Sequence, residues 1–177
     1  MSKKSDAVVL CEDIQHRVFF VKMLKELGFK RIRPLPLPVS CGEQYVRNEY
    51  SKQVISYRQN ENKCAFTLVI VIDADLTPIT SRLRQLTKSL KDYELNDRQP
   101  TEKIALFIPN RNIETWIENL IHNSAVNEVA AYEKLSGHER DCHPAVEHFI
   151  ILARQSPKPT DRPPSMLHGF AEFQRIS

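Results

Sequence analysis

Phe66-Thr67-Leu68-Val69-Ile70-Val71-Ile72-Asp73-Ala74-Asp75 is the stretch that decides the fold. Its first seven residues are apolar or β-branched without a break, which suits a strand buried on both faces, as in a parallel sheet covered by helices. Such a strand tolerates no charge, yet this one runs out into two carboxylates one residue apart. In extended chain, positions i and i+2 point the same way, so Asp73 and Asp75 are expected to share one target. Ligands bind at the carboxyl ends of strands in open α/β sheets. Two like charges held that close repel unless one takes a proton or a cation sits between them, and a divalent metal meets that need. The competing reading is local: strand ends also carry Asp as the cap of the next helix.

Upstream, Ala7-Val8-Val9-Leu10-Cys11 forms a second apolar run with an acidic exit, Glu12-Asp13. Apolar residues then recur at helical spacing over 14–27, with Gly28 as a stop. Prolines at 34, 36 and 38 confine the cationic segment 30–38 to a sheet edge. Ser40 and Glu43 stand at capping-box spacing before a helix that carries Tyr45, Val46, Tyr50, Val54 and Tyr57. Residues 60–63 read as a polar turn into the decisive strand.

Downstream, Thr77-Pro78 opens a helix over 79–90, with Leu83, Leu86 and Leu90 inward and Arg82, Arg84, Lys88 and Lys91 outward. Residues 104–108 are a further buried strand. Asn110 or Asn112 caps a helix over 113–121 that holds Glu114 and the only tryptophan, Trp116. Two more helices are expected at 126–135 and 145–153. The tail from Ser156, with four of the eleven prolines, reads as extended. The alternation of strand and helix predicts an α/β class with a mostly parallel four-stranded sheet and a C-terminal helical extension.

The 177 residues suffice for one domain with a sizeable core. A net charge of +3 is compatible with a polyanionic partner without requiring one. No apolar run is long enough for a membrane span, and no signal core follows Met1. Four cysteines without a C-x-x-C pair suit reduced thiols and a cytoplasmic location. His138, Cys142, His143 and His148 match no familiar zinc spacing.

Three of these stretches together resemble the TOPRIM fold of topoisomerases, primases and OLD-family nucleases. Val9-Leu10-Cys11-Glu12-Asp13 is similar to the first motif, a strand ending in the key glutamate. Val71-Ile72-Asp73-Ala74-Asp75 is similar to the Asp-x-Asp motif of a later strand. The segment from Ala105 through Pro109 and Glu114 to Trp116 resembles a strand-to-helix unit of small stand-alone TOPRIM-like proteins of bacterial defence loci. The departures are Asp13, where many relatives have glycine, and His16, where nuclease members often carry a further acid. The ATP-hydrolysing P-loop of OLD proteins is missing from the sequence.

The resemblance implies a TOPRIM-like catalytic domain over 1–123, a helical extension over 124–155 and a Pro-rich tail over 156–177. It implies a Mg²⁺- or Mn²⁺-dependent nuclease of anti-phage defence, with Glu12, Asp73 and Asp75 on the metal. Helical spacing allows His16 to join Glu12 on one face and bind the ion, or to be an exposed histidine at a helix start. Glu114 is either a second-metal ligand or base, or an ordinary acid of a helix's first turn. Arg111 and Lys134 are candidates for steadying the phosphate, as are Gly42 and Arg47 at the start of the second helix, where backbone N–H groups can receive an anion or simply be capped. The expected partners are nucleic acid, DNA ahead of RNA, and a separate ATPase or a second copy of the chain. The rival expectation is a regulatory or binding subunit that keeps the fold without turnover.

Overall fold

The computed structural model describes residues 6–60, 66–157 and 159–177, so the proposed turn at 61–63 and Cys64 lie outside the described residues. Four strands form one all-parallel sheet in the order β2-β1-β3-β4, with β1 at Asp6–Leu10, β2 at Arg31–Pro34, β3 at Phe66–Val71 and β4 at Ile104–Phe107. Five helices were expected near where they occur: α1 (Ile14–Glu26), α2 (Gly42–Asn60), α3 (Ile79–Lys91), α4 (Ile113–His122) and α5 (His143–Arg154). A sixth, α6, spans Pro164–Phe173. The flanked parallel sheet is consistent with a Rossmann-like α/β fold.

The period of two along β3 sorts its side chains between two cores. Val69 and Val71 face one core with Val9, Phe107, Phe19, Phe20, Trp116 and Phe149, beneath α1, α4, α5 and α6. Leu68, Ile70 and Ile72 face the other, with Leu10, Val46, Val54, Leu86 and Leu90, beneath α2 and α3. In the first core Phe149 is stacked on Trp116, their centroids 5.6 Å apart, and touches Phe170 at 5.1 Å. Trp116 donates its indole N–H to Ser165 at 2.7 Å.

The two sheet edges are handled differently. β2 is open on one side, with Arg31 and Arg33 exposed, and Pro34 ends it as expected. β4 is covered by α6. Glu172, almost fully buried, accepts the Leu106 N–H at 2.8 Å and the Arg98 guanidinium, while His168 bonds the Leu106 carbonyl at 3.0 Å. Arg98 also donates to the Ile104 carbonyl at 2.9 Å. Polar groups that would otherwise invite another strand are thereby satisfied.

Two expectations for the C-terminal part are corrected. Residues 126–135 are irregular apart from a turn at 128–130, tied down by Asn110 and Arg111 rather than wound as a helix. The tail is not extended, because Pro163-Pro164 starts α6 and its apolar side closes the first core. Proline content signalled a loop there, but Met166, Phe170 and Phe173 lie at helical spacing and are buried.

Candidate metal centre

The carboxyl ends of β1 and β3 are neighbours because the strands pair in register, Val9 with Val69 and Leu10 with Ile70. That pairing carries the next residues of each strand to one place. The Asp73 N–H donates to Glu12 Oε1 at 2.6 Å, joining segments 61 residues apart in sequence. Asp13 is the N-cap of α1 and accepts the His16 N–H at 2.9 Å. That cap places His16 in the first turn, fully buried. Its Nε2 lies 3.0 Å from Asp73 Oδ1, and its Nδ1 lies 3.5 Å from Asp13 Oδ1.

Asp13, His16 and Asp73 each offer a ligand atom, all within 4.8 Å of one another, so this group could hold a metal ion. The donor set, two carboxylates and an imidazole, suits a divalent cation. His16 is therefore not an exposed histidine at a helix start.

Glu114 reaches the same region from the first turn of α4 and is buried. Burial raises its pKa, and the Asp73 and Asp13 charges raise it further. Glu12 is pushed up to about 7, first by burial and then by the Asp73 charge. Burial alone would push His16 down, but the Asp73, Asp13 and Glu12 carboxylates outweigh it and bring the imidazole up to about 10. Burial likewise raises Asp73, against the pull of His16.

Asp75 does not share a target with Asp73. Beyond β3 the chain stays extended only through Ala74, whose N–H bonds the Pro109 carbonyl at 2.8 Å. Asp75 and Leu76 then take positive φ, 50° and 65°, and the turn sends the Asp75 carboxylate 3.5 Å from Arg82 of α3. Arg82, expected to point outward, is buried, where it also bonds Glu43, Gln85 and the Ala74 carbonyl. Its place four residues before Leu86 was the available signal.

The start of α2 packs directly on the first motif. A Cβ on Gly42 would stand 2.8 Å from Glu12 Cβ and 3.1 Å from the Glu12 carbonyl oxygen, so only glycine permits this approach. Arg47 pairs with Glu43 at 2.7 Å and lines a separate cavity of about 460 Å³ between α2 and α3. Arg111 is exposed and donates to the Val129 carbonyl at 2.7 Å. Lys134 lines a smaller cavity with Asp13 and Glu114. The structure thus brings together Glu12, His16, Asp73, Glu114 and Gly42, with Asp13 added, and leaves Asp75, Arg47 and Arg111 with partners of their own.

Among the described residues, Cys11, Cys41 and Cys142 are free thiols, and the histidines around Cys142 form no ligand group with it. No helix there is long and apolar enough to cross a membrane. Comparison of the chain with protein-family models, curated proteins and solved structures gives no match.

Proposed function

We propose that this chain is a TOPRIM-like nuclease that uses Mg²⁺ or Mn²⁺ to hydrolyse phosphodiester bonds of nucleic acid, DNA in the first instance. The observation that carries the reading is the joining of Glu12 and Asp73 across paired strand ends, with His16 lodged against Asp73. Asp13, His16 and Asp73 would hold the ion, and the imidazole tilts the preference toward Mn²⁺. Such an ion supplies Lewis-acid charge to a phosphodiester. Glu12, with a carboxyl near neutrality, can hold or release a proton beside it, and Glu114 is a second candidate from α4. Gly42 lets the N-terminus of α2 sit over Glu12, where backbone donors suit a phosphate.

A chain of net charge +3 holds nucleic acid weakly by itself, so a separately encoded ATPase or a second copy belongs to the proposal. So do a cytoplasmic setting and a place in bacterial defence, both of which rest on the resemblance.

The test is cleavage of plasmid and single-stranded DNA in Mn²⁺ by the native chain and by Asp73→Asn. The proposal expects metal-dependent cleavage that the substitution removes while binding persists. A second reading, a binding or regulatory subunit, is favoured by one observation: a protonated His16 already supplies the cation that Asp13 and Asp73 require. That reading expects no cleavage in Mn²⁺ by the native chain.

A further inference from the structure

Two loops beside the candidate centre carry exposed apolar side chains on a braced backbone. Val39, between β2 and α2, is fully exposed, and Leu76, between β3 and α3, is half-exposed. The Leu35 N–H donates to the Val9 carbonyl at 2.8 Å, Arg17 to the Leu35 carbonyl at 2.7 Å and the Tyr45 hydroxyl to the Pro36 carbonyl at 2.8 Å. Pro36 and Pro38 stiffen this first loop further. In the second, the Leu76 N–H donates to the Asn110 carbonyl at 3.1 Å and the Thr77 N–H to the Ala74 carbonyl at 2.9 Å. Buried Arg82 clamps that loop to the start of α2, since it donates to both the Ala74 carbonyl and Glu43.

Both loops are strained. Cys41, Asp75 and Leu76 take positive φ, three of the five non-glycine residues that do so among the described residues. Such conformations persist where the surrounding structure over-determines them, and they gather at active sites and ligand clamps. Val39 stands three residues before Gly42, which packs on Glu12, and Leu76 three residues after Asp73. Three residues of chain reach at most about 11 Å, a span of about three nucleotide steps. The candidate ligand atoms themselves are sunken: His16 and Asp73 are buried, and Asp13 is half-exposed. A phosphate of a stacked duplex stands on a convex backbone and meets the rim first. It reaches an ion held below only where the flanking bases part, and apolar side chains can fill the opened step.

We infer that Val39 and Leu76 are apolar wedges that enter the substrate at an unstacked base step. The preferred substrate is then DNA with a mismatch or other unpaired step beside the phosphate under attack, ahead of uninterrupted duplex. The inference rests on the nuclease reading and adds the substrate class to it. A mismatched step is easier to open than a paired one, which is the source of the discrimination. Neither side chain offers a hydrogen bond to a base edge, so the preference is for local structure and not for sequence.

The probe is a short DNA duplex with 2-aminopurine beside a central mismatch, compared in Mg²⁺ with the same duplex fully paired. 2-Aminopurine brightens when it leaves the stack, and stopped-flow fluorescence reads that before strands are cut. Anisotropy of a dye at the duplex end reads affinity. The native chain is expected to brighten the mismatched duplex and to bind it about tenfold more tightly than the paired one. Val39→Ser combined with Leu76→Asn changes two exposed positions, and asparagine tolerates positive φ, so the fold is kept. That variant is expected to bind both duplexes within twofold of each other and to lose the brightening. Binding by the native chain without brightening or without preference overturns the inference alone, as does either property surviving in the variant. Equal loss of affinity for both duplexes in the variant also overturns it. No binding of any DNA by the native chain sinks the nuclease reading with it. A dimer in sedimentation that the two substitutions dissolve, without brightening on DNA, would instead give the tips to a contact between copies.

Discussion

Replacing Glu12 by glutamine should stabilise the metal-free protein at neutral and alkaline pH. The carboxyl rises from 4.5 to about 7 on folding, because burial and the Asp73 charge disfavour its ionised form. A raised acid binds more protons folded than unfolded, so stability falls as pH climbs from about 4.5 to about 7 and stays lower beyond. Each tenfold in proton affinity is ~1.4 kcal/mol, so carrying Glu12 ionised above pH 7 costs the fold on the order of 3 kcal/mol. Glutamine keeps an oxygen for the Asp73 N–H and removes the charge. Urea denaturation from pH 4 to pH 9, with EDTA present, should show coincident stabilities at pH 4. At pH 8 the variant should be ahead by about 3 kcal/mol, or about 6–12 °C in Tm. Parallel curves across the range, or a less stable variant at pH 8, would refute the account of this carboxyl.

Three other outcomes follow from the same geometry. Mn²⁺ binding should displace a proton from His16, so apparent affinity should rise about tenfold per pH unit between pH 6 and 8. Calorimetry in buffers of different ionisation enthalpy reads that proton, and pH-independent affinity would exclude His16 as a ligand. Gly42→Ala should lose about 1–3 kcal/mol by urea denaturation, since its Cβ would enter the space of Glu12. Glu172→Ala should cost about 3 kcal/mol and produce concentration-dependent self-association on gel filtration, because the Leu106 N–H and Arg98 lose their acceptor together.

Three strands were legible as short apolar runs with acidic or proline exits and β2 as a cationic edge segment ended by proline, and the parallel class followed from the helices between them. Adjacency of β1 and β3 could not be read from either strand alone; the parallel pairing of Val9 with Val69 supplies it. The i, i+2 argument for Asp73 and Asp75 assumed extended chain, and it failed where two non-glycine residues take positive φ, which no residue type announced. Asp13 was read as part of an acidic strand exit and as a departure from glycine, although its role as cap is what fixes His16. The burial of Gln15, whose amide reaches the Glu139 carbonyl 124 residues away, has no sequence signal. The tail was misread because four prolines outweighed a helical spacing of buried apolar residues.

The sealing of β4 by Glu172 has a temporal side. Leu106 must wait for a residue 66 positions later before its amide is satisfied. On the ribosome, at about 5–20 residues per second, that separation leaves the strand's outer rim uncovered for several seconds after β4 has emerged. During that interval a nascent chain is open to pairing with its neighbours on the same message, and slowing translation between the two segments should lower the yield of correctly folded protein.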